Sequence, residues 1–326
     1  MKKSIQLFIK MILLVLIFAL CGCAGDENDA EEANAENVSE KTEGSDVSDM
    51  QIDDVVKKGD VNKKAVLVVS FGTSYNESRE KTIGAVEKKI AEAFPDYDQR
   101  RAFTSQIIID KIEQRDNEKI DNVKEAMEKL VDEGYGTLVI QPTHVMNGEE
   151  YDEMKELAEP FEENFVSVKY GVPLLTSSDD YKEVIDAIAE ETPELSDKTC
   201  AVVFMGHGTS HFADSAYSAL DYRFKAEGYD NAFVGTVEGY PDLDKIKEDL
   251  KKFNPDKVVL IPLMIVAGDH VNNDMAGDEE DSWKTQLKKE GYEVECILKG
   301  LGEYSGIQDI FAEHCKAALN DETEEE

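Results

Sequence analysis

The sequence predicts an α/β fold of two similar domains, each a parallel sheet flanked by helices, related by internal duplication. Three observations carry this. Short apolar, β-branched runs alternate with amphipathic segments through residues 64–320, the pattern of parallel sheets covered on both faces. A turn recurs after two of these runs, as "SFGTSYNES" at 70–78 and "MGHGTSHFADS" at 205–215. A longer unit also recurs. "VKEAMEKLVDEGYGTLVIQPTHVMNGEEYDEM" at 123–154 resembles "IKEDLKKFNPDKVVLIPLMIVAGDHVNNDM" at 246–275, each running through a strand to a proline, Pro142 or Pro262, and then a Gly-acid loop. The two domains are expected at 64–195 and 196–320, facing each other across a cleft.

The N-terminus reads as an export signal over residues 1–22. Lys2, Lys3 and Lys10 precede the apolar run "MILLVLIFAL" at 11–20, which is short for a membrane span and suits a signal peptide. "LCGC" at 20–23 has the form of a bacterial lipobox, so Cys23 is expected to be the lipidated first residue of an exported, extracytoplasmic lipoprotein held to the membrane by its acyl chains. Residues 23–62 form an acidic tether; positions 24–62 hold 13 acidic and 3 basic residues, and one-signed charge with little apolar content predicts disorder.

"AVLVVSF" at 65–71 reads as a buried strand. A helix after it is expected to start at Ser74, with Glu77 completing a capping box. Ile83, Val86, Ile90 and Phe94 share one helical face, and Ile120, Val123, Met127 and Leu130 another. "TLVIQ" at 137–141 is the next strand, followed by helices near 150–159 and 180–191 around a strand near 165–170. The second half repeats this order: strands at 200–205, 231–235, 257–262 and 292–297, with helices at 214–226, 242–253, 279–290 and 305–319.

A formal net charge of −36 excludes nucleic acid as a partner, because phosphate binding needs Lys and Arg to replace counterions. Cys200, Cys296 and Cys315 show no C-x-x-C spacing; an exported chain could join two of them in one disulfide, and buried free thiols are the preferred reading. The sequence has no P-loop, no G-x-G-x-x-G after a strand and no nucleophile elbow, so no nucleotide is expected.

Of five histidines, His144, His207, His211 and His270 lie just after predicted strands, where ligands of open α/β sheets bind. In the repeat His207 aligns with Phe71, and His144 with Ile265. Each half thus offers one imidazole from a different strand, which implies one asymmetric site shared between the halves. Imidazole binds Co²⁺, Ni²⁺, Fe²⁺ and Zn²⁺ and titrates near neutrality; an ordinary value makes activity fall as pH drops through about 6–7. Ser74 and Ser210 are expected to cap helices or meet anions, and His211, Glu238 and His270 to line the substrate pocket. His314, in the last helix, reads as structural.

The segments "VVSFGTSYNESREKTI", "RAFTSQIIIDKI", "THVMNGEEYDEM", "GVPLLTSSDDY", "VVFMGHGTSHFADSAY", "VEGYPDLDKI", "PLMIVAGDHVNNDMAGDEEDSWK" and "GLGE" closely resemble the anaerobic sirohydrochlorin cobaltochelatase family of ATP-independent class II tetrapyrrole chelatases. The resemblance runs from about residue 64 to 320. It implies a chelatase-like fold and insertion of Co²⁺ into sirohydrochlorin for cobalamin biosynthesis. It also implies that His144 and His207 bind the metal and that His144 accepts protons. Some members supply a carboxylate ligand in the Gly-x-Pro-Leu-Leu segment; Val172 stands there in this chain, leaving Glu149, Glu150 and Glu238 as substitutes. Export and acidity leave an alternative function, an extracytoplasmic metal- or tetrapyrrole-binding lipoprotein without catalysis.

Overall fold

The computed structural model describes residues 58–320, so the signal peptide, Cys23 and most of the tether lie outside the described residues. Two four-stranded parallel sheets form the frame, β2-β1-β3-β4 and β6-β5-β7-β8. The strands are β1 (Asp60–Ser70), β2 (Asp98–Phe103), β3 (Tyr135–Pro142), β4 (Ser167–Tyr170), β5 (Cys200–Gly206), β6 (Ala232–Thr236), β7 (Lys257–Pro262) and β8 (Glu293–Cys296). The second order is the first shifted by four strands. In each sheet the chain steps to one side after the first strand and then crosses to the other. The two central strands therefore flank a switch point, where open α/β sheets take ligands beyond their carboxyl ends.

The helices are α1 (Asn76–Lys81), α2 (Ile83–Ala93), α3 (Gln106–Asp116), α4 (Val123–Asp132), α5 (Glu149–Ala158), α6 (Ser178–Glu190), α7 (Ser215–Ala226), α8 (Leu243–Phe253), α9 (Trp283–Lys289) and α10 (Ser305–Leu319). Local sequence sets several of their ends. Asn122 with Glu125, and Ser177 with Asp180, form capping boxes on α4 and α6, while Asp242 and Ser282 accept backbone N–H bonds at the starts of α8 and α9. Such caps satisfy amides that the first helical turn leaves unpaired.

Strand alternation sorts the core. Ala65, Leu67 and Val69 pack with Val123, Met127 and Leu130 of α4 on the outer face of the first sheet. Ala201, Val203 and Met205 pack with Ile246, Leu250 and Trp283 on the outer face of the second. The opposite faces meet in one shared core, where Val66 and Val68 join Val202 and Phe204 through side chains of α2, α6, α7 and α10. The last helix, α10, follows β8 in sequence yet packs against α2 and α6. The expected division at 195/196 is thus crossed by a helix whose fully buried Ile307 and Phe311 each contribute roughly 1.5–3 kcal/mol by burial.

Several expectations need correction. β1 begins at Asp60, so residues 60–62 belong to a strand and not to the tether, with a register irregularity between Asp60 and Lys64. The first helix begins at Asn76 with Tyr75 at its cap and no side-chain cap bond, so Ser74 and Glu77 form no capping box. β2 and α3 were not expected. The predicted helix at 279–290 shortens to α9, preceded by a π turn at Val271–Met275. Cys200, Cys296 and Cys315 are free thiols, two of them buried.

Candidate functional site

Loops leaving the four central strands meet in one cleft of about 280 Å³. After β1 come Phe71 to Tyr75; after β3, Thr143 to Met146 with Gly148 and Glu150; after β5, His207 to Thr209; after β7, Leu263 to Val266 with Gly268, Asp269 and His270. The wall is mostly apolar, and its charged side chains, Glu150 and Asp269, are acidic; no Lys or Arg lines it among the described residues.

The two halves build this cleft on matching backbones. Pro142 pairs with Val69 and Pro262 with Met205. One residue on, the Thr143 N–H donates to the Val69 carbonyl at 2.8 Å and the Leu263 N–H to the Met205 carbonyl at 2.8 Å. The equivalent of His144 is therefore Met264, not Ile265: the strand register fixes the match one residue earlier. His207 does stand where the first half has Phe71. Gly72 and Gly208 both take left-handed φ, 100° and 84°. In each turn the threonine hydroxyl accepts from the N–H two residues on, Thr73 from Tyr75 at 3.3 Å and Thr209 from His211 at 3.1 Å. A Cβ on Gly206 would lie 2.2 Å from the Tyr217 ring, so only glycine lets that ring close the floor beneath His207.

The five imidazoles are distinguished by their partners. His144 is 8% exposed, and neither of its ring nitrogens has a hydrogen-bond partner. Burial lowers its pKa from 6.5 to about 4, because the charged form loses hydration. The expectation of titration near neutrality therefore fails for His144, which is a neutral imidazole at physiological pH. His207 Nδ1 lies 2.7 Å from the Gly208 carbonyl oxygen. A carbonyl only accepts, so Nδ1 carries the proton and Nε2 keeps its lone pair. His270 Nδ1 likewise donates to Asp274 Oδ2 at 2.7 Å. The His207 and His270 rings meet edge-on with centroids 4.7 Å apart.

His211 has the opposite tautomer. Its Nδ1 accepts from the Ala213 N–H at 3.2 Å, and its Nε2 faces Asp152 at 3.6 Å. It caps a short 3-10 turn in place of Ser210 and lies outside the cleft lining. Ser210 and Glu238 are exposed and also outside that lining, whereas Ser74 is buried within it. His314 faces two acceptors, the Val172 carbonyl and Asp180, each at 3.2 Å, in keeping with a structural role. Val172 and Glu149 do not line the cleft, and Glu150 does.

Sequence reasoning missed Tyr75 and Asp269. The Tyr75 hydroxyl donates to Asp269 Oδ1 at 2.6 Å across 194 residues of chain. That bond, with partial burial, raises the tyrosine pKa. Tyr217, whose hydroxyl accepts from the Gly208 N–H at 3.4 Å, was also missed. No local pattern marks a contact across as much chain as the Tyr75–Asp269 bond spans.

Known proteins resemble this chain in the same region. The family model described as "Cobalt chelatase (CbiK)" matches residues 64–320. A sirohydrochlorin cobaltochelatase of Salmonella typhimurium is 44% identical over 263 residues, 81% of this chain and 99% of its own length. The sirohydrochlorin cobaltochelatase CbiKC of Nitratidesulfovibrio vulgaris is 33% identical over 262 residues, 80% of this chain and 92% of its own. The solved structure of SirB from Bacillus subtilis with Fe³⁺ superposes with a TM-score of 0.58 at 14% identity, covering 80% of this chain and 98% of that one, a likeness of fold. A buried neutral histidine lining the same duplicated α/β cleft as a second imidazole thus sits within a matched family: the chain belongs to the CbiK cobalt chelatases.

Proposed function

We propose that this protein is a sirohydrochlorin cobaltochelatase, inserting Co²⁺ into the tetrapyrrole without ATP. The observation that carries the reading is His144, a buried imidazole with both ring nitrogens unpartnered, lining the same cleft as His207. An unsatisfied buried polar group costs about 1–3 kcal/mol, so its retention in a cleft points to a task. Insertion exchanges two pyrrolic N–H protons for one dication. Neutral imidazole lone pairs hold the entering metal; as the metal passes to the macrocycle, the released His144 lone pair accepts the two departing protons one after the other and passes each to water. Burial disfavours the imidazolium, so the proton does not rest there. Glu150 and Asp269 make the cleft favourable to a dication, and the apolar loop residues meet the macrocycle faces while its carboxylates stay toward solvent. Ni²⁺, Fe²⁺ and Zn²⁺ suit the same donors. Lipidation at Cys23 and an extracytoplasmic location form part of the proposal, supported by the "LCGC" segment.

The test follows tetrapyrrole absorbance on mixing protein, Co²⁺ and sirohydrochlorin without nucleotide. The reading expects acceleration over buffer. Equal insertion rates for wild type, His144→Ala and buffer alone would reject catalysis and leave a binding protein.

A further inference from the structure

The cleft alone is too small for a tetrapyrrole. A drug-sized ligand fills a pocket of roughly 300–1,000 Å³, and a four-pyrrole macrocycle with its carboxylate arms is larger than a drug, yet the cleft holds about 280 Å³. Part of the macrocycle therefore projects beyond the cleft. Its carboxylates find no cation inside, because no Lys or Arg lines the cleft among the described residues. The chain has 71 acidic against 35 basic residues, so its overall field repels a polyanion. Binding needs positive charge placed at the cleft mouth.

One helix supplies it. α3 starts beside the cleft: the Ser105 N–H at its cap donates to the Phe71 carbonyl at 3.3 Å, and both Phe71 and Ile108 line the cleft. Ile107, Asp110, Lys111, Gln114 and Arg115 share another face of the same helix and form a shallow groove of about 440 Å³. Ile107 is 79% exposed there. The far end of the groove also returns to the cleft, because Arg115 Nη2 donates to Asn76 Oδ1, the residue after the cleft-lining Tyr75.

The two cations of this groove have donors to spare. Most described lysines are paired with an acid, as Lys89 is with Asp309 and Lys129 with Asp121. Lys111 is exposed, and its Nζ has no partner among the described residues. Arg115 holds Asp116 through Nε and Nη2, which leaves Nη1 for another acceptor. The acid of the groove, Asp110, accepts from Gln106 Nε2 at 2.8 Å.

We propose that this face of α3, through Lys111 and Arg115, is the subsite for the peripheral carboxylates of the tetrapyrrole, with Ile107 as its apolar floor. This rests on the substrate of the proposed function, and its test is the binding of metal-free sirohydrochlorin to the full-length protein, followed by absorbance. Lys111→Ala should raise Kd about 2–5-fold, the range of an exposed charge pair, and Lys111→Glu about 10-fold. Asp110→Asn should tighten binding about 2–5-fold. Lys288→Glu, on α9 and outside the groove, changes the net charge by the same amount and should stay within about twofold of wild type. The Lys111 effects should shrink as salt rises. In the insertion assay Lys111→Ala should raise KM with kcat kept, and Co²⁺ binding should match wild type. Equal sirohydrochlorin affinities in Lys111→Glu and Lys288→Glu would overturn this inference alone. Lys111-dependent binding without insertion would uphold the subsite and reject catalysis. Absence of sirohydrochlorin binding by wild type would reject both the subsite and the proposed function.

Discussion

The two Gly-Thr-Ser turns share a backbone and differ in use. Both follow the first strand of a sheet, both place glycine at left-handed φ, and both close a threonine-to-backbone bond. The first is flanked by Phe71 and Tyr75, the second by His207 and His211. The fourth residue of each turn reaches an acid from the other half: Tyr75 to Asp269 at 2.6 Å and His211 to Asp152 at 3.6 Å. The residue before the glycine diverges more: Phe71 is 50% exposed, while His207 presents a free lone pair to the cleft. Duplication supplies geometry twice. The proposed chemistry draws on one histidine from each half, at positions that are not equivalent, His144 on β3's loop and His207 on β5's.

The largest expected effect breaks this asymmetry at His144. His144→Ala should slow cobalt insertion by ~10²–10⁴-fold, the usual range for a lost proton acceptor, whereas Met264→Ala at the equivalent position should leave the rate within a few-fold of wild type, by the same absorbance assay. Next, His207→Phe makes the second turn like the first and should weaken Co²⁺ binding by at least about 10–100-fold, taking outer-sphere losses as the floor. Adding Phe71→His should not restore it, as a titration of the double variant would show.

A pH experiment sharpens the contrast between His144 and an ordinary histidine. Its folded pKa, about 4, lies below the ordinary 6.5, so the unfolded chain takes up the proton first as pH falls. Its contribution to stability is complete above about 6.5 and declines toward 4 by about 1.4 kcal/mol per pH unit. Denaturant unfolding of wild type and His144→Gln across this window should show a steeper slope in wild type, by up to about 1.4 kcal/mol per pH unit.

The glycines should separate the turns by a smaller amount. A Cβ at Gly208 would lie 2.3 Å from the Gly239 backbone nitrogen, and one at Gly72 would lie 2.6 Å from the Phe103 ring. Both substitutions strain a left-handed residue, costing about 1–3 kcal/mol. Gly208→Ala should lower the unfolding midpoint more, because backbone yields less than a side chain. The smallest effect belongs to Tyr75→Phe, which removes one partly exposed hydrogen bond worth about 0.5–1.5 kcal/mol. A loss above that range in thermal unfolding would make the Tyr75–Asp269 bridge more than a local contact.

Legibility followed burial. The central strands β1, β3, β5 and β7 are continuous apolar runs, and periodicity located them and their helices to within a few residues. β2 escaped because it is an edge strand reading "DQRRAF", whose arginines are held by Glu87 and Glu133. A half-solvated edge has no apolar signature. The loop histidines were legible by position and by resemblance, but their roles were not.

The sequence alone determined the duplicated α/β order, the places of the buried central strands, and the family that its loop segments resemble, because hydrophobic period and turn chemistry are local properties of the chain. Only the tertiary structure decided that α10 crosses to the first sheet, that His144 matches Met264, and that His211 spends its lone pair on a helical cap while His270 keeps its own. Those outcomes depend on strand register and on the acceptor or donor standing opposite each nitrogen. Such partners come from residues remote in the chain, and burial by the whole fold sets the protonation state of His144.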